Sequence, residues 1–133
     1  MMNDKEQVRL ATFILRRWQF YELNINKMKN NFHKWQAITF FRALQELEKE
    51  EVSLLARMYY KSPTQLYNKW YSAFETCKGA SLEEVAEQTG KTVTQVRSEL
   101  RVIKIKFAKR YNELSNEPKK ITLIRDKTNE KGA

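Results

Sequence analysis

Apolar side chains recur along this chain three or four positions apart, the period of a helix with one buried face. Over residues 8–23, Val8, Ala11, Leu15 and Trp18 form one row, and Leu10, Ile14 and Tyr21 form a second beside it. The spacing predicts a helix with a broad apolar face, packed against more than one neighbour. Asn24, Asn26 and the pair Asn30-Asn31 then interrupt the pattern. It resumes over residues 33–60, where Ile38, Phe41 and Leu44 carry one stripe and Val52, Leu55 and Met58 or Tyr59 a second. The run Glu48-Lys49-Glu50-Glu51 separates the stripes, so the stretch is one long helix or two joined near Leu47.

Helix-start signals divide the remainder. Ser62-Pro63-Thr64-Gln65 offers a capping serine, a proline at the first helical position and a glutamine that can reach back. A helix is expected from there to about Cys77, burying Leu66, Trp70 and Phe74, and ended by Lys78-Gly79-Ala80. Ser81 and Glu84 form a second capping box, opening a short helix to about Gln88. Thr89-Gly90-Lys91 reads as a tight turn in which Gly90 takes a positive φ at no steric cost. Thr92 and Gln95 form a third box, and the last helix is expected from Val93 to about Leu114. Pro118 forbids its continuation. At helical spacing, Tyr59, Tyr67, Trp70 and Phe74 read as core and not as a stacking platform for single strands, as do Trp35, Phe40 and Phe41.

The fold class expected is therefore all-α, five or six helices ending in a carboxy-terminal helix-turn-helix. Only three Gly and two Pro occur in 133 residues, which fits helices joined by short loops. Three regions follow: a helical bracing or interaction region over 1–61, a helix plus DNA-binding unit over 62–115, and a flexible polar tail over 116–133. In the tail, Ile121-Thr122-Leu123-Ile124 is the only apolar part.

Charge changes the picture from fold to function. The formal net charge is +9, which attracts polyanions such as nucleic acid or an anionic membrane surface. Residues 81–88 carry Glu83, Glu84 and Glu87 and no base. Residues 89–111 carry Lys91, Arg97, Arg101, Lys104, Lys106, Lys109 and Arg110 against Glu99 alone. An acidic element followed at once by a basic one suggests one face toward solvent and one toward phosphates. Within that stretch, Ala86, Gly90 and Val96 have the spacing a helix-turn-helix needs: a small residue at the crossing, a glycine in the turn, and a branched apolar residue sealing it.

The stretch SLEEVAEQTGKTVTQVR, from Ser81, resembles the helix-turn-helix of the promoter-reading fourth region of bacterial sigma factors. It also resembles the sigma-like domains of small phage transcription regulators of the ArpU, RinA and LtrC kind. LQELEKEEVSLLARMYY, from Leu44, is similar to the helix before the motif in those families. Residues 61–80 make a longer link than sigma factors have, which favours the regulators. The resemblance implies a promoter-binding regulator, an activator of phage or prophage late genes. Its partners would be double-stranded promoter DNA and possible protein partners such as RNA polymerase, a second subunit or an inhibitor.

The second helix of such a unit lies in the major groove with its early residues at base edges. Thr94, Gln95, Arg97, Ser98 and Arg101 are the candidate base contacts. Arg97 suits guanine and Gln95 adenine, although Gln95 serves equally well as a cap of its own helix. Lys91, Thr92, Lys104 and Lys106 are the candidate phosphate contacts. The bland alternative is that the cationic row is a solvated helix face.

Other chemistries find little support. Cys77 and His33 each occur once, which cannot make a tetrahedral zinc site, so no metal or cofactor is expected. No nucleophile set, phosphate loop or carboxylate pair in a cleft can be named, so no enzyme is expected. No apolar run can span a bilayer and no signal-peptide core is present, so a cytoplasmic protein without membrane contact is expected. The rival readings are a sigma-like polymerase-binding factor, a phage small terminase subunit and a protein-interaction module for an acidic partner.

Overall fold

The computed structural model describes residues 2–117, so the expected tail lies outside the described residues apart from its first two positions. The chain is mostly helical, with six α-helices and one two-stranded antiparallel sheet among the described residues. The sheet corrects the all-α expectation.

The first apolar stripe becomes two helices. α1 (Asp4–Leu15) starts on Asn3, whose side chain accepts the Glu6 N–H at 2.9 Å. α2 spans Trp18–Asn24. The break at Arg16-Arg17 has a use, because it frees the Arg16 carbonyl to accept the Cys77 N–H at 2.7 Å. A short 3-10 turn, Ile25–Lys27, leads to α3 (Asn31–Gln45), capped by the Asn30 side chain. The second stripe is likewise two helices. Glu46 to Glu48 separate α3 from α4 (Lys49–Leu55), and the Glu51 carboxylate accepts the Glu48 N–H at 2.9 Å. α4 continues into a π-helical turn, Ala56–Tyr60, closed by the Lys61 N–H on the Ala56 carbonyl.

The helix expected over residues 62–77 is instead a β-hairpin, β1 (Thr64–Asn68) and β2 (Ala73–Cys77), with Tyr67 opposite Phe74 and Thr64 opposite Cys77. Ser62 does not cap a helix. Its hydroxyl donates to the Tyr59 carbonyl at 2.8 Å and accepts the Gly79 N–H at 3.0 Å, tying the hairpin's two ends together. At the tip, the Asn68 side chain accepts from Trp70 and Tyr71 N–H, an Asx turn that reverses the chain. Leu66, Tyr67, Trp70 and Phe74, expected in the core, are exposed. The hairpin is held from outside. Arg16 donates through Nε to the Cys77 carbonyl and through Nη2 to Gln65, and Arg17 pairs with Glu75.

α5 (Leu82–Thr89) and α6 (Val93–Ser115) are the last elements among the described residues. One buried cluster runs from Ala11 to Leu114. Phe40 of α3 lies at its centre, its ring 5.7 Å from Trp18, 5.4 Å from Tyr21 and 5.8 Å from Phe107. The carboxy-terminal half of α6 thus packs on α1 and α3 through Phe107, Ala108, Tyr111 and Leu114. No helix among the described residues is long and apolar enough to cross a membrane.

Candidate nucleic-acid interface

α5 begins where Ser81 accepts the Glu84 N–H at 3.1 Å. It ends in a left-handed closure. Gly90, at φ +69°, donates to the Glu87 carbonyl, and Lys91 donates to the Ala86 carbonyl at 3.1 Å. These two bonds satisfy carbonyls that the helix end would leave open. Thr92 then caps α6 reciprocally: its hydroxyl accepts the Gln95 N–H at 3.1 Å while Gln95 Oε1 accepts the Thr92 N–H at 2.9 Å. Two helix ends are therefore fixed within the three residues Gly90, Lys91 and Thr92. Behind the turn, Val85 and Ala86 of α5 are buried with Val96 and Leu100 of α6.

With Val96 and Leu100 turned inward, the helical period carries Thr94, Arg97, Ser98 and Arg101 to the exposed side of the first turns of α6. Neither Arg97 nor Arg101 has an ion-pair partner among the described residues. Gln95 is also exposed, but its side-chain oxygen is taken by the Thr92 cap. Contact between that oxygen and a base edge would cost the cap.

The candidate phosphate contacts are dispersed. Lys91 reaches both carboxylate oxygens of Glu99, at 3.0 and 2.7 Å. Lys106 pairs with Glu51 of α4 at 3.0 Å. Partial burial pushes the Glu51 carboxyl up, yet the Glu48 N–H and the Lys106 ammonium outweigh it and hold the group below its ordinary value. Lys104 is half-buried, its ammonium 5.0 Å from the centre of the Tyr59 ring. Thr92 is exposed with its hydroxyl engaged as the cap.

The partners of these lysines escape sequence reasoning. Glu99 lies two helical turns from Lys91, and Glu51 and Tyr59 come from another part of the chain. A cleft of about 390 Å³ opens between α4 and α6, with Glu50, Glu51 and Glu99 on its walls beside Val102. No group of three or more His, Cys, Asp or Glu side chains among the described residues could hold a metal ion. Cys77, the last residue of β2, is buried, and that burial pushes its thiol above the ordinary value. Comparison of the chain with protein-family models, curated proteins and solved structures gives no match.

Proposed function

We propose that the protein is a sequence-specific DNA-binding transcription regulator. In this reading α5, the Gly90 turn and α6 act as a helix-turn-helix, and the first turns of α6 enter the major groove of promoter DNA. The observation that carries it is the exposed face of Thr94, Arg97, Ser98 and Arg101, in which both guanidiniums lack an internal partner among the described residues. Unpaired arginines projecting from a rigid helix suit bidentate recognition of guanine. The carboxy-terminal half of α6 is locked into the core, so the exposed half is presented as a stiff arm. Lys91, Lys104 and Lys106 flank it as phosphate contacts, the first and last by exchanging a carboxylate for a phosphate. The helices before residue 62 brace the arm and offer a surface to RNA polymerase, a second subunit or an inhibitor. A role as activator of phage or prophage late genes rests on the resemblance of residues 81–97 and 44–60 alone.

The test compares promoter-containing DNA with scrambled DNA of equal length, across a salt series, for wild type and Arg97→Ala. The expected result is a preference for the promoter that Arg97→Ala reduces by about 1–3 kcal/mol. Equal binding of both DNAs, unchanged in Arg97→Ala, would exclude α6 as a sequence reader and direct attention to a protein partner.

A further inference from the structure

We propose that the tip of the β-hairpin is a second nucleic-acid contact, where an unpaired base stacks on Trp70 and the strand's phosphates lie against Lys27, Lys29 and Lys69. This surface is separate from the face of α6, and the inference does not depend on sequence-specific reading there.

Trp70 is 86% exposed, more than any other large apolar side chain among the described residues. An indole left bare in water is a cost that a ring partner would recover. The side chain does not sit on a floppy loop, because the Asn68 carboxamide holds the Trp70 and Tyr71 N–H groups at 2.9 and 3.3 Å. Lys69 sets its ammonium 5.9 Å from the indole centre. Across a cleft of about 590 Å³, Lys27 and Lys29 approach from the connection between α2 and α3, with His33 on the first turn of α3.

The charge around this cleft is one-sided. No carboxylate among the described residues lines it. Lys27, Lys29 and Lys69 have no ion-pair partner among the described residues, and Glu75, the acid of the hairpin, is taken by Arg17 and Asn68. Cations of this kind call for an anion, and the flat ring beside them calls for a second flat ring. A single strand supplies both at the right alternation, since each unpaired base has an open π-face and each linkage a negative charge. An acidic peptide would answer the lysines and leave the indole bare. A duplex would hide its base faces.

The experiment titrates the full-length protein with a short oligothymidylate and follows tryptophan fluorescence and anisotropy. Trp18 is buried and Trp35 half-buried, so quenching on binding reports chiefly on Trp70. Trp70→Ala should remove the quenching and weaken binding about tenfold, while Trp70→Phe keeps most of the affinity. Lys29→Ala should weaken binding less and flatten its salt dependence. Binding to duplex promoter DNA should be the same in Trp70→Ala and wild type, so failure here leaves the α6 reading untouched, and failure with Arg97→Ala leaves this one untouched. The proposal falls if the oligonucleotide does not bind, if it binds wild type and Trp70→Ala equally, or if polyglutamate displaces it with the same change in fluorescence.

Discussion

At Gly90 the backbone φ of +69° is one that side chains rarely adopt, yet a Cβ added there would meet no atom of the described residues within 4 Å. Conformation alone, then, selects glycine. Gly90→Ala should cost about 1 kcal/mol, the left-handed penalty less the entropy regained from a stiffer unfolded chain. Gly90→Asn should cost less, because asparagine tolerates that region. Urea denaturation would show this as a lower midpoint at unchanged slope, and equal losses for Ala and Asn would contradict it. Residue reasoning from sequence works well where the cause is this local. The Thr92–Gln95 cap and the shared face of Thr94, Arg97, Ser98 and Arg101 both follow from offsets of three and four along one helix. It is blind to Glu99 holding Lys91 and to Tyr59 beneath Lys104, which depend on how distant segments meet.

The hairpin shows what an element can conceal. Leu66, Trp70 and Phe74 stand four apart, and Ser62-Pro63 precedes them, so every local helix signal is present. The contrary signals are Thr64, Tyr67, Phe74 and Thr76, which suit a strand, and Asn68 two residues before Trp70, which suits a turn. What decides between them is external: Arg16, Arg17 and the Arg16 carbonyl receive the strand from a helix junction some sixty positions earlier. The same junction explains why the stripe over residues 8–23 is cut in two. Ser62 is the clasp at the hairpin's base, with only 8% of its surface exposed. Ser62→Ala strands the Gly79 N–H and should cost about 1–3 kcal/mol. Amide hydrogen exchange would register the loss as faster exchange at Gly79 and in β2, with α6 little changed. Uniform acceleration across the chain would argue against a local clasp.

Across the whole molecule, a helix that begins at the candidate interface ends in the shared core. Phe107 is fully buried against Phe40, so Phe107→Ala should cost about 3–5 kcal/mol. Because α1, α3 and α6 share that cluster, calorimetry should record one transition, lowered by on the order of 10 °C or more. Two transitions, with only one displaced, would mean that the helices unfold independently. The ion pairs Lys91–Glu99 and Lys106–Glu51 carry a different consequence on the DNA-binding reading. Their carboxylates are resident counterions. When a phosphate replaces one of them, a lysine changes partners and the freed carboxylate gathers cations from solution, so little net release of salt follows there. Arg97, Arg101 and Lys104 have no such tenant among the described residues, and on them the bases and phosphates displace only water and dissolved ions. The salt sensitivity of the complex would then count Lys104 and whichever arginine meets a phosphate, and largely overlook Lys91 and Lys106, leaving the α6 face less responsive to salt than its run of basic residues suggests.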